Sequence, residues 1–225
     1  MRHPAVLIAA AVLIAAGCAT PIAGTPTWVG ATLEKVLLTK ADFPPGVEYG
    51  RIVEKPGQPD NAGGPPAMLS VPQNCSNGLT DVIGAYSERG PGSAAKYNLI
   101  YDGARIVITV LTSPLNLGEL SAEANRCHSF NTYFDRDSAP IPITTTELPS
   151  SRPDQLVYRQ TMRLAGTDSN VFMAFVNIGR MGVFGIAFPT GQLGAGQQSL
   201  PKATLPQTFT EIVDQQAQRI QSAAN

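Results

Sequence analysis

The chain has 225 residues, 15% of them charged, with 16 basic against 17 acidic side chains and a net charge of −1. No basic run exceeds a pair, so the electrostatic footprint of nucleic-acid binding is missing and no nucleic acid is expected as a partner. A chain of this length supports one domain with a core of its own, or at most two small ones.

Residues 1–18, MRHPAVLIAAAVLIAAGC, join a short basic start at Arg2 and His3 to an unbroken small and apolar run. The run ends in Ala15-Ala16-Gly17-Cys18. That order reads as a lipoprotein signal over residues 1–17, with Cys18 as the first mature residue and the carrier of the lipid (palmitate). The apolar run falls short of the roughly 20 residues a bilayer-spanning helix needs. A plain secretory signal cut after Ala19 stays open as the other reading, because Ala15 stands where a lipobox usually has Leu. Lipidation would hold the protein on the extracytoplasmic face of the cell membrane. Arg2 is the one charged side chain in residues 1–17, so the remainder carries 15 basic and 17 acidic residues, a net −2.

Residues 18–31 are small, polar and rich in Pro and Gly, the composition of a flexible tether. Trp28, at its end, suits docking on the domain edge better than a membrane interface, since no amphipathic stretch accompanies it. The domain is expected over residues 32–225. Its first element is a short helix over 32–40, with Leu33, Val36 and Leu37 on one face. Pro44 and Pro45 stop it. Residues 47–54 alternate weakly, as an edge strand does, and 56–66 form a loop.

Cys75 lies in a loop before a helix over 77–88, for which Ser76 or Asn77 can serve as N-cap. Gly90-Pro91-Gly92 ends that helix. Asp102-Gly103 between two strand-like runs over 95–111 predicts a tight hairpin, because both residues tolerate positive φ. A second amphipathic helix is expected over 116–134, started by Asn116 and Glu119, with Leu120, Ala124, Cys127 and Phe134 on one face. Residues 141–148 read as a Thr-rich strand. Three more strands, 155–165, 171–178 and 181–188, make an antiparallel meander with turns at 166–169 and 179–180. In the first of them Leu156, Tyr158, Met162 and Leu164 are expected inward, and Val157, Arg159, Thr161 and Arg163 outward. Gly182 and Gly185, inside the last strand, predict a bulge or the close approach of a backbone or ligand. Residues 191–206 form a loop. Thr208 and Glu211 then start a final helix, whose apolar face is Phe209, Ile212, Val213, Ala217 and Ile220. The sum is an α+β domain: an antiparallel sheet with helices packed on one face.

Cys75 and Cys127 are the pair left once Cys18 is lipidated. In an oxidising compartment they are expected to form one disulfide. A metal site would need three or four ligands at local spacing, and His128 is the one histidine outside residues 1–17. No metal and no cofactor is therefore assigned. Catalysis lacks a constellation as well. No G-x-S-x-G elbow exists for a serine nucleophile, and His128 beside a structural cysteine reads as a helix-surface residue. A hydrolase using His128 is kept as the alternative. The glycines at 191, 194 and 196 lack the lysine and the βαβ setting of a phosphate loop. Arg159 and Arg163, at alternate positions of one strand, are the candidate ligand-facing residues. The plainer reading of them is a solvated sheet face with cross-strand partners.

Two stretches resemble a known family. Thr20-Pro-Ile-Ala-Gly24-Thr25 after the lipobox is similar to the mature start of many mycobacterial lipoproteins. The run from Leu37-Leu38-Thr39 through Asp42-Phe43-Pro44-Pro45-Gly46 resembles the opening of small envelope lipoproteins of the LprH-like and LpqQ-like kind. More distantly it resembles the extracellular sensor domain of the receptor kinase PknH. Pro72-x-x-Cys75 before a helix, and Cys127 on the next, are similar too. The resemblance implies an α+β domain with a disulfide-tethered helical layer and a cleft. The PknH-type domain has two disulfides where this chain can make one. No catalytic residue is carried over. The function so implied is a membrane-anchored, non-catalytic ligand-binding or sensor-like module for a small molecule or an envelope glycan or lipid. An envelope or host-interaction scaffold is the further alternative. Oligomeric state is not readable from the sequence.

Overall fold

The computed structural model describes residues 30–53, 68–87, 92–164, 166–190 and 206–224. Cys18, the signal segment, Trp28 and the loops at 56–66 and 191–205 lie outside the described residues, as do Gly90 and Pro91. Tight turns build most of the sheet. Asp102 and Gly103 adopt φ of 53° and 73° and join β3 (Ala94–Tyr101) to β4 (Ala104–Leu111). Gly166 and Gly179, at φ of 80° and 58°, turn β7 (Gln155–Leu164) into β8 (Thr167–Ile178) and β8 into β9 (Met181–Pro189). Left-handed backbone of this kind favours glycine or a short polar residue.

With β1 (Glu48–Ile52), β2 (Leu69–Val71), β5 (Ser129–Tyr133) and β6 (Ile141–Leu148), these strands form one nine-stranded sheet. Its order is β1-β3-β4-β9-β8-β7-β6-β5-β2. Every pairing is antiparallel. β1 lies at one edge, as its weak alternation predicts, and β2 at the other.

Helices cover both faces, not one. On the first face α1 (Gly30–Val36) and α4 (Gln207–Ala224) pack Leu33, Phe209, Val213 and Ala217 onto Tyr97, Ile108, Val157 and Ala174. On the second, α2 (Gly78–Ser87) and α3 (Leu117–Arg126) pack Leu79, Ile83 and Leu120 onto Val107, Tyr158, Phe175 and Phe184. The apolar positions of β4, β8 and β9 on both sides demand this: each strand buries residues of both parities. Val157, expected outward, is 1% exposed for the same reason.

Gly185 marks where α4 crosses the sheet. A Cβ there would lie 2.9 Å from Val213 Cγ2 and 3.0 Å from Phe209 Cε2. The close approach expected at this glycine is thus made by the C-terminal helix. Further along α4 the fully buried Gln216 amide accepts from Leu38 N–H at 3.1 Å and donates to Val36 O at 2.8 Å. It thereby satisfies a carbonyl that the end of α1 leaves open. Arg219 pairs with Asp42, in a 3₁₀ turn over Lys40–Asp42.

Three helices differ from expectation in their bounds. α1, expected over 32–40, runs Gly30–Val36, and residues 40–42 form the separate 3₁₀ turn. α3 ends at Arg126, and residues 129–133 form β5, because pairing with β6 and burial of Phe130 and Thr132 outweigh the helical spacing. Phe134, expected on the buried helix face, is 71% exposed. α4 starts at Gln207, so Thr208 lies in its first turn and donates to Asp102 Oδ2 at 2.6 Å, tying the helix start to the β3–β4 turn. Asn116 does cap α3, accepting from Glu119 N–H at 3.1 Å.

Gly185→Ala should lower stability by about 1–3 kcal/mol, the cost of overpacking a close contact. Urea denaturation reads this directly, and an unchanged midpoint would show that α4 does not bear on this strand. The Asp42 carboxyl is held below the usual carboxylate range by the Thr39 amide first, then by the Thr39 hydroxyl and Arg219, which together outweigh partial burial. A carboxyl whose folded pKa is depressed contributes stability above its ordinary pKa and loses it as pH falls through the folded value. The stability gap between wild type and Asp42→Asn should therefore be present at neutral pH and close on acidification below about pH 4. A gap that does not narrow at all between about pH 5 and pH 2 would rule out the charge as its source.

Candidate functional site

The two helical layers leave part of the sheet bare. Register places Val157, Arg159, Thr161 and Arg163 of β7 on the face that α4 covers further in. It carries that face on through Thr146, Thr144 and Pro142 of β6, Ser129, Asn131 and Tyr133 of β5, and Leu69 and Val71 of β2. Beyond Val157 the cover stops. Pro142, Thr144, Thr146, Ser129, Leu69 and Val71 are all exposed. The opposite face of the same strands is closed: Phe130, Thr132, Ile141 and Ser70 are buried there.

What closes it is the cysteine pair. Cys75 and Cys127 are bonded, with Cα atoms 5.4 Å apart, and form a small cluster with Phe130 and Ile143. The bond spans 52 residues of sequence. Around it Cys75 N–H donates to Ser70 Oγ at 2.9 Å, Ser76 Oγ donates to Met68 O at 2.8 Å, and Arg126 Nη1 donates to Gln73 O at 3.0 Å. Ser76, a candidate N-cap, thus clamps the start of β2 instead. The expected disulfide is present, and its work is to hold β2 and the entry to α2 against the end of α3.

The two candidate arginines part company on this face. Arg163 faces Asp168 across the β7–β8 hairpin and donates to it from Nε at 2.9 Å. Its guanidinium is largely exposed, so this is a surface ion pair of small energetic weight. The turn explains the pairing. Asp168 was expected in a turn over 166–169, but Thr167, Asp168 and Ser169 belong to β8. Thr161 likewise has a cross-strand partner, donating from Oγ1 to Asn170 Oδ1 at 2.7 Å.

Arg159 is different. It is half-buried beside Phe172, and its Nε is buried without a hydrogen-bond partner. No carboxylate pairs with it among the described residues. Two other buried polar atoms stand out, the hydroxyl of Tyr97, which has no partner, and that of Tyr158, which has Ser121 beside it. Both belong to closed cores. Tyr97 is 0% exposed and stacked on Tyr49 at 5.5 Å, and burial raises its pKa well above the ordinary tyrosine value. Of the three, Arg159 alone lies where cover ends.

His128 stands in the turn between α3 and β5 rather than on a helix. Its ring is exposed, with Nδ1 3.2 Å from Asn125 O. Among the described residues no serine, threonine or carboxylate is bonded to that ring. No group of three His, Cys, Asp or Glu side chains there could hold a metal ion. No described helix is long and apolar enough to cross a membrane. Sequence reasoning missed β2, whose Leu69-Ser70-Val71 alternation was the one available signal.

No protein-family model matches the chain. No curated protein matches it either. Among solved structures, an uncharacterised protein of Mycobacterium smegmatis, the Rv0999 ortholog, aligns over 87% of this chain and 94% of its own, with 12% identity and a TM-score of 0.48.

Proposed function

We propose that this chain is a lipid-anchored protein of the bacterial cell envelope, of the LprH-like and LpqQ-like kind, whose domain is a non-catalytic ligand-binding or sensor-like module. The signal-like residues 1–17 and Cys18 support the anchor. The Cys75–Cys127 bond suits an exported chain. One observation carries the binding reading: Arg159 keeps a buried, unpartnered Nε on a sheet face from which the helical cover has withdrawn. A buried polar group without a partner costs roughly 1–3 kcal/mol. Arg159 as a whole is only half-buried and no described carboxylate pairs with it, so an anionic ligand at the open side of its guanidinium would supply the missing counter-charge.

The ligand on this reading carries a phosphate or carboxylate, since a guanidinium binds such groups through two parallel hydrogen bonds. Its neighbours Thr144, Thr146 and Thr161 offer hydroxyls but no charge. Among the described residues the face has one acid, Asp168, and Arg163 already holds it.

Calorimetric titration with phosphate- and carboxylate-bearing envelope lipids and glycans should show binding that Arg159→Gln weakens by about tenfold or more. Arg163→Gln should leave it unchanged within twofold. Equal losses from the two substitutions would mean that only the net charge of the face matters. Mass spectrometry of the mature N-terminus should find acylated Cys18, and an unmodified start at Thr20 would sink the anchor.

A further inference from the structure

Four large apolar side chains stand exposed among the described residues, and two of them, Leu69 and Val71, share one corner of the bare face. Leu69 is 50% exposed and Val71 61%, both pointing from β2 to the bare side. Phe134, 71% exposed, follows Tyr133 at the end of β5, one residue out of step with that face, and is not counted in the corner. The fourth, Val53, is at the far edge beyond β1. Exposed apolar residues scattered singly need no account, but a cluster at the rim of an open surface does.

The corner and Arg159 lie at opposite ends of one diagonal. Arg159 sits opposite Thr146, Pro142 is four residues along β6, Asn131 faces Pro142, and Val71 faces Asn131. Three strand spacings and four residues of rise place Val71 about 20 Å from Arg159. The path crosses the uncharged Thr144 and Pro142.

We infer that the bare face binds an anionic amphiphile, its acidic head on Arg159 and its alkyl chain laid along the diagonal to Leu69 and Val71. This rests on the ligand-binding reading above and names the class of ligand. Other occupants fit less well. A second copy would have to bring Arg159 and Arg163 of both chains onto one face, and the face has one acid, Asp168, to offset them. An added strand would find β2 only three residues long, with Pro72 directly after it. A plain anion would leave the apolar corner without a role.

The experiment compares dodecyl phosphate with butyl phosphate, both below micelle concentration, by calorimetry and amide chemical-shift mapping on the mature chain. Dodecyl phosphate should bind at least tenfold more tightly. Arg159→Gln should weaken both ligands by a similar factor, whereas Leu69→Ser and Val71→Thr should erase only the advantage of the longer chain. Both are exposed positions, so their melting temperatures should match wild type, and each checks the other. Laurate run in parallel shows whether the head is a fatty carboxylate or a phosphate ester. Equal affinity for butyl and dodecyl phosphate would overturn the inference and leave the anion-binding reading standing. So would a chain-length advantage that survives both corner substitutions, or binding to phosphatidylglycerol vesicles with none to monomeric amphiphile. No binding of any anion would overturn both.

Discussion

Helix supply limits what this sheet can bury. Nine antiparallel strands at about 4.8 Å spacing make a surface nearly 40 Å wide with two faces to cover. Against that the described residues set one long helix, α4, of 18 residues, two of 10 and one of 7. At 1.5 Å per residue α4 spans about 27 Å. The result is a stagger: α1 and α4 cover one face from β3 to β8, and α2 and α3 cover the other from β4 toward β7. Each layer stops short, and the strands at the ends of the order must be closed by something else or left bare.

Both solutions occur, back to back, on β5, β6 and β2. On one side the Cys75–Cys127 bond stands in for a helix. With Phe130 and Ile143 it makes a core too small to hold an edge strand by apolar burial alone. Closing a loop of this length adds up to about 4 kcal/mol by the chain-entropy estimate. On the other side nothing among the described residues stands in, and the exposed residues of β6 there are Pro142 and the threonines Thr144 and Thr146, which suit a solvated strand. Antiparallel sheets tolerate one wet face. That tolerance accounts for the threonines. It does not account for Arg159, which is only half in water, or for Leu69 and Val71, which are in water and apolar.

Local chemistry was legible in the sequence where it decides structure by itself. Asp102-Gly103 specified its hairpin, Asn116 its cap, and the two-sided apolar run at 171–178 a central strand. That last run already implied cover on both faces, because a strand apolar on each side cannot sit in a sheet with helices on one. Gly185 announced a close approach, but the approaching Phe209 and Val213 lie more than 20 residues on, and no local signal names them. The overrun of α3 has the same cause. Residues 127–134 keep a helical spacing and contain no breaker, and only pairing with β6 and β2 turns them into a strand.

Arg159 and Arg163 show how fine the distinction becomes at the site. They share a strand, a face and a chemistry, and the sequence offers them as equals. What separates them is a turn. Starting β8 at Thr167, ahead of the expected end of the turn at 169, sets Asp168 directly across from Arg163 and Phe172 across from Arg159. One arginine thereby gains a carboxylate and becomes part of the hairpin. The other faces an aromatic side chain, and its buried Nε has nothing to donate to. A chain that only needed a soluble sheet face could place lysine, threonine or glutamine at 159 without burying an unpaired donor. Retaining an arginine where cover ends makes sense if the acceptor arrives from outside, and the apolar corner 20 Å away along the same face suggests that it arrives with a tail.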